Sequence, residues 1–253
     1  MNFGKFCLYD GTNLNAYIMM QHELHIKPHG WVRVQCEYDR IDYSKQTVSC
    51  EQYMCVPYTN VSVLECDDIV PLRIASFDLE CLSFVSWKTH DSIFPDYKNT
   101  QDTVSQIGVC TWIFGENTYD KKVFVLDDQT WFRDNEETQD GFVIVPCRTE
   151  QHLLLSWARY ICDMDIDILV GYNIFGFDYE YLYERARFHK INDEFVRTLS
   201  RRYLSNKERT DFYYSTRCLA SNAYGDNTFK ILNIPGRVSL DLYVLIKKEH
   251  KLE

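Results

Sequence analysis

Arg73-Ile74-Ala75-Ser76-Phe77-Asp78-Leu79-Glu80 is the stretch around which the rest of the chain can be read. Its first residues look like a buried strand, and it closes on two carboxylates separated by one residue. Side chains alternate across a strand, so Asp78 and Glu80 face the same way. Two converging negative charges repel unless a cation sits between them. Mg²⁺ suits such a place, because it is a hard ion held by one or two carboxylates together with substrate phosphate. The competing reading is a solvated turn that merely begins with Asp-x-Glu.

Beyond an irregular link containing Asp91, Pro95, Asp96 and Asn99, strand-like runs follow at Thr103–Phe114, Lys122–Leu126 and Phe142–Val145. Gly115-Glu116-Asn117 and an acidic loop around Asp134–Asp140 separate them, and the loop reads as a solvated turn. The period then changes. Leu153, Leu154, Trp157, Ile161 and Met164 recur at helical spacing behind Thr149, a candidate N-cap with Glu150 close behind. Asp167–Tyr172 reads as a short buried strand, and a second helix is predicted from about Phe175 to His189. Antiparallel strands followed by strand–helix–strand–helix predict an α/β fold, a mixed β-sheet flanked by helices. Upstream, residues 1–70 hold short strand-like pieces at Trp31–Cys36 and Thr59–Leu64. They form a separate β-rich section whose aromatic and Cys residues are expected to be core.

With 45% hydrophobic and 25% charged residues over 253 positions, the chain is expected to bury a core rather than remain disordered. No apolar run approaches the roughly 20 residues needed to span a bilayer, and Met1-Asn2-Phe3-Gly4-Lys5 lacks a signal peptide's apolar core. An intracellular protein with no membrane partner is expected. The ten cysteines form no Cys-x-x-Cys pair, which leaves a zinc site little support and predicts a reduced compartment with buried thiols. A net charge of −10 argues against a freestanding nucleic-acid module held by a basic surface. It is compatible with an enzyme that reaches nucleic acid through bound metal ions. Glu184–Arg209 is locally basic, with Arg185, Arg187, Lys190, Arg197, Arg201, Arg202, Lys207 and Arg209 against Glu184, Asp193, Glu194 and Glu208. It reads either as a solvated helix face or as a phosphate contact.

Tyr172 leads into Asn173-Ile174-Phe175-Gly176-Phe177-Asp178 at the start of the second helix. A strand end feeding a helix N-terminus is where open α/β sheets gather ligands. Asp178 alone would be a helix-start residue favoured by the dipole. With Asp78 and Glu80 at the end of an earlier strand, it becomes a third carboxylate able to meet them across the sheet.

Ala75-Ser76-Phe77-Asp78-Leu79-Glu80 resembles the first exonuclease motif of B-family replicative DNA polymerases, and Val170-Gly171-Tyr172-Asn173-Ile174-Phe175-Gly176-Phe177-Asp178 resembles the second. Phe94-Pro95-Asp96, Val104-Ser105-Gln106-Ile107-Gly108, Ile234-Pro235-Gly236-Arg237-Val238 and Asp241-Leu242 fall in the expected order. Gly30-Trp31-Val32 and Pro71-Leu72-Arg73 are similar to the lead-in of delta-type polymerases, including those of large DNA viruses. The resemblance implies a ribonuclease-H-like proofreading domain of the DEDD type over residues 71–253, preceded by part of an N-terminal domain over 1–70. It implies catalytic, metal-site roles for Asp78, Glu80 and Asp178, with two Mg²⁺ ions that Mn²⁺ can replace. Asn173 would shape the pocket beside the terminal nucleotide, and Phe177 would pack beneath Asp178. The implied partners are a single-stranded primer 3′ end, the remainder of the polymerase and a processivity factor, in a nucleus or viral replication compartment. The family's third motif, a tyrosine four residues before an aspartate, does not occur after Asp178, nor do the polymerase palm carboxylates. The chain therefore reads as stopping short of that motif, and as weak or inactive in isolation. A non-catalytic module binding DNA or a replication partner is the alternative.

Overall fold

In the computed structural model, which describes residues 15–36, 46–50, 53–89, 93–134, 136–203, 213–221 and 225–250, the first section opens with a helix that the sequence reading did not expect. Cys7, Asp91, Lys207, Glu208 and Arg209 lie outside the described residues. Helix α1 (Ala16–Leu24) starts where the Asn15 side chain accepts the Tyr17 amide and stops at His25, which turns left-handed. None of its residues is buried, so it carries no apolar stripe by which a helical period could be recognised. Strands β1 (Trp31–Val34) and β2 (Val61–Leu64) lie where strand-like pieces were expected, and they pair antiparallel. All four β1 residues are exposed, however, so the expectation of an aromatic core here is corrected. The chain divides into two compact units, Met1–Gln46 with Cys50–Ile69 and Thr47–Ser49 with Val70–Glu253.

The second unit is built on a seven-stranded mixed sheet. Its strands are β3 (Arg73–Cys81), β4 (Val104–Ile113), β5 (Tyr119–Leu126), β6 (Glu136–Glu137), β7 (Val143–Cys147), β8 (Ile168–Gly171) and β11 (Val238–Asp241), in the order β11-β8-β3-β4-β5-β7-β6. β3, β4 and β5 are antiparallel to one another, whereas β8 runs parallel to β3, and β11 parallel to β8. The mixed α/β architecture expected from the order of periods is thus observed. The acidic loop contains more than a solvated turn, since Glu136 and Glu137 form a short edge strand on β7. A charged, two-residue edge discourages pairing with another chain.

Helices α3 (Glu150–Asp163) and α4 (Asp178–Phe188) pack on the face presented by Ala75, Phe77 and Leu79. Thr149 caps α3 through the His152 amide, and the 3.6-residue stripe buries Leu153, Leu154, Trp157 and Ile161. The Phe77 ring lies 5.1 Å from that of Trp157 and 5.9 Å from that of Tyr179, which ties the central strand to both helices. Helix α5 (Asn192–Leu199) buries Phe195, Val196 and Leu199. An outlying hairpin of β9 (Tyr214–Ser221) and β10 (Gly225–Leu232) touches the start of α4, the Lys230 amide donating to the Phe175 carbonyl at 2.7 Å. The apolar run from Val238 divides into β11 and α6 (Leu242–His250), and the short α2 (Phe84–Thr89) follows β3.

A further expectation is corrected. Among the described cysteines only Cys147 is buried, while Cys55, Cys66 and Cys218 are exposed. The basic stretch is divided: Arg187 and Lys190 are exposed, as a solvated face would have them, while Arg185 and Arg201 are taken up by the fold. Arg185 is fully buried against Glu150, Arg187 pairs with Glu184, and Arg201 bridges Asp165 and Asp167. Among the described residues no helix is long and apolar enough to cross a membrane.

Candidate metal centre

Strand β8 pairs with β3 only as far as Val170 opposite Ser76, and β3 continues to Cys81 with β4 alone beside it. The edge of β3 that faces β8 is therefore open over its last residues. Into that opening comes Asp178, the first residue of α4, whose carboxylate lies near the Leu79 amide, which favours its charged form. A strand that outruns its parallel neighbour thus makes a notch, and a helix N-terminus fills it with a carboxylate.

Along β3, Phe77 and Leu79 are buried while Asp78 and Glu80 are exposed, so the period of two places both acids on the face away from α3 and α4. Asp178 is only 3% exposed. Burial first, and then the negative charge of Asp78 with a smaller contribution from Asp241, push its carboxyl up to about 7. Asp78 and Asp178 are therefore brought into electrostatic contact. Glu80 stands two residues along on the same face as Asp78. Burial, followed by the charges of Asp178, Glu150 and Glu80, pushes the Cys81 thiol up, so this cysteine stays protonated and inert. Among the described residues no three His, Cys, Asp or Glu side chains stand close enough together to hold a metal ion as they lie. The donor set nevertheless fits a hard divalent cation, which needs only one or two protein carboxylates when phosphate and water complete its shell. A buried carboxyl pressed by a neighbouring carboxylate is a group that a cation would relieve.

The turn that delivers Asp178 is held by a residue that the sequence marked only as a landmark. Asp241 ends β11, opposite Gly171 on β8, and is 3% exposed. Its Oδ1 accepts the amides of Asn173 (2.8 Å) and Tyr243 (2.9 Å), and its Oδ2 accepts that of Phe175 (2.9 Å). Asn173 is exposed and adopts a left-handed conformation with φ of 61°, and its carbonyl takes the Gly176 and Phe177 amides. A Cβ on Gly176 would collide with the Asn173 side chain, and one on Gly171 with the Ile174 side chain and the Phe77 carbonyl. Phe177 is half-buried, with its ring 5.0 Å from Phe94 and 5.1 Å from Tyr181. An aspartate inside an apolar run at a strand-to-helix junction was the one sign of Asp241's part. Asp241→Ala is expected to cost about 1–3 kcal/mol and to expose the Asn173, Phe175 and Tyr243 amides to rapid hydrogen exchange. Unchanged protection of those three amides would show that the carboxylate does not hold the turn.

Other buried acids were also missed, among them Asp102 and Glu150. Asp102 ties the 94–99 loop to α2, and Glu150, which reads as a mere companion of the cap, is the partner of Arg185.

Comparison with known proteins gives one consistent answer. The family described as DNA polymerase family B, exonuclease domain, matches residues 10–253. The chain is 27% identical over 227 residues to the DNA polymerase delta catalytic subunit of Schizosaccharomyces pombe, covering 88% of this chain and 19% of that protein. With the corresponding subunit of Candida albicans it shares 32% over 186 residues, covering 73% and 16%. With the DNA polymerase of Paramecium bursaria Chlorella virus NY2A it shares 26% over 257 residues, covering 98% and 26%. The chain spans about a fifth of the length of the curated relatives it matches.

Proposed function

The chain belongs to the family B DNA polymerase exonuclease-domain family, and from that premise we propose that it is the proofreading portion of a delta-like replicative polymerase. Its reaction is hydrolysis of nucleotides from the 3′ end of a primer presented as single-stranded DNA. The observation that carries this reading is the meeting of buried Asp178 with Asp78 at the open edge of β3. Residues 71–253 form the exonuclease domain, with a ribonuclease-H-like sheet, and residues 1–70 belong to an N-terminal domain.

Asp78, Glu80 and Asp178 hold the divalent ions, Mg²⁺ with Mn²⁺ as a substitute. Two such ions supply activation of water and stabilisation of the charge that develops on the phosphate and the leaving 3′ oxygen. The protein's own contributions are orientation and exclusion. Asp241 fixes the turn that aims Asp178, and Asn173, exposed at the tip of that turn, contacts the terminal nucleotide. Phe94, 74% exposed and edge-on to Phe177, offers a flat face to a base. The remainder of the polymerase and a processivity factor are the protein partners, in a nucleus or viral replication compartment.

Incubation with 5′-labelled single-stranded DNA and Mn²⁺ is expected to give a ladder shortened from the 3′ end. Asp78→Ala should abolish it, a loss of at least about 100-fold. Cutting at internal positions, or a ladder that survives in Asp78→Ala, would sink the assignment. Binding of the strand without any metal response would instead favour a non-catalytic module.

A further inference from the structure

β3 runs from the carboxylates straight into α2, which lies in the chain between the two halves of the site. The Leu82 amide donates to the Thr103 carbonyl at 2.8 Å, which keeps the chain at the end of the sheet where Glu80 lies. The Phe84 amide then donates to Asp102 Oδ1 at 2.9 Å. Asp102 is 3% exposed, and its Oδ1 also accepts Asn99 Nδ2 at 2.9 Å while its Oδ2 accepts the Asp96 amide at 2.9 Å. One buried carboxylate therefore fixes both the start of α2 and the loop that carries Phe94.

Each of these two segments presents an exposed aromatic ring braced by a second. Phe94 leans on Phe177, and Trp87, 66% exposed, leans on the half-buried Phe84 with centroids 5.8 Å apart and planes 35° from parallel. Single exposed aromatics are ordinary on a protein surface. Two braced rings on segments tied to a common buried acid, in the chain that directly follows a carboxylate pair, are a different arrangement. Even with the connecting residues fully stretched, Trp87 lies within about 19 Å of Glu80. Lys88, next to it, is exposed and supplies a cation where a phosphate would pass.

We propose that Trp87 on α2 is a second stacking subsite for an unpaired nucleobase of the strand whose 3′ end enters the carboxylates. The proposal rests on the exonuclease reading of the site. The chemistry selects a nucleic-acid strand because the projecting group is a flat indole flanked by a cation, the pairing by which proteins bind single strands without reading their sequence. Trp87 and Phe94 then form two steps of one track, and Asp102 sets their spacing.

The test measures binding of a 5′-fluorescein-labelled dT8 strand by anisotropy, in Ca²⁺ to keep the strand intact, alongside a blunt duplex of the same length. Trp87→Ala is expected to weaken dT8 binding about tenfold, and Trp87→Phe to retain most of it, because the ring rather than the indole nitrogen carries the contact. Far-UV circular dichroism checks that both variants fold. Equal dT8 affinity in wild type and Trp87→Ala overturns the subsite and leaves the exonuclease reading standing. An equal loss on the duplex also overturns it, since stacking requires unpaired bases. Failure of the wild-type protein to bind dT8 at all removes both the exonuclease reading and the subsite.

Discussion

Replacing Asp178 with asparagine is expected to make the metal-free protein more stable at pH 8 and to weaken its stabilisation by Mg²⁺. The folded state holds the Asp178 proton up to about pH 7, well above its ordinary value of 3.8, because the carboxyl is buried beside Asp78. The folded protein therefore binds more protons than the unfolded one between those values. The stability contributed by this one group is therefore fully present below about pH 4 and falls as the pH rises to about 7, where the carboxyl is forced to ionise. The displacement corresponds to roughly 4 kcal/mol, of which about 2–4 kcal/mol should appear in urea unfolding once the site relaxes. Asparagine keeps an oxygen for the Leu79 amide and carries no charge, so the Asp178→Asn difference should be large at pH 8 and small at pH 4. Mg²⁺ should act in the opposite sense on the wild type, stabilising it most above pH 7, where the carboxylate is available, and should stabilise the variant much less. Wild-type and variant stabilities that run parallel from pH 4 to pH 8 would show that Asp178 does not sit in the electrostatic setting described.

The second large effect concerns Glu150 and Arg185. Glu150 Oε1 accepts the Val104 amide at 2.8 Å and Arg185 Nε at 2.9 Å, and its Oε2 meets Arg185 Nη2 and His189 Nε2, each at 2.6 Å. Arg185 is fully buried, and its Nη1 also donates to the Tyr97 and Asn99 carbonyls, which fastens the loop bearing Phe94 to α4. Glu150→Ala leaves a buried guanidinium and a β4 amide without their acceptor. The expected cost is about 3–5 kcal/mol in equilibrium unfolding, because removing one member of a buried ion pair strands the charge of the other. The double change Glu150→Gln with Arg185→Met should recover much of that loss, since no charge then remains to be buried. A loss under about 1 kcal/mol in the single variant would mean that water reaches the pair.

Much of this arrangement was legible beforehand, and the legible parts share a cause. β3, β4, β5, β7, α3 and β8 were all readable because each buries one face, and burial forces the period of two or 3.6 into the sequence. Thr149 was readable as a cap for a similarly local reason. Where burial is absent the signal fails. α1 buries nothing, β1 is exposed throughout, and α2 is six residues long with Trp87 pointing to solvent, so none carried a usable pattern. The second helix reads as beginning near Phe175, yet α4 begins at Asp178, because Asp241, more than sixty positions away, takes the Asn173 and Phe175 amides and holds that turn outside the helix. Within Glu184–Arg209, Arg185 departs from its surface reading for the opposite reason. Composition counts Arg185 as a surface charge, whereas the fold consumes it inside.

The sequence by itself determined the family, the α/β order of elements and the candidate carboxylates Asp78, Glu80 and Asp178, because alternation along one strand and residue types within two short motifs are local properties. The tertiary structure alone decided how those acids relate. β8 stops at Gly171, so β3 is left with an open edge, and Asp178 is buried there against the Leu79 amide and the charge of Asp78. It alone decided, too, that Asp102, Glu150 and Asp241 are buried organisers rather than surface acids. The physical reason is that a carboxylate's role is set by what surrounds it, and those surroundings come from strands and loops far apart in the chain.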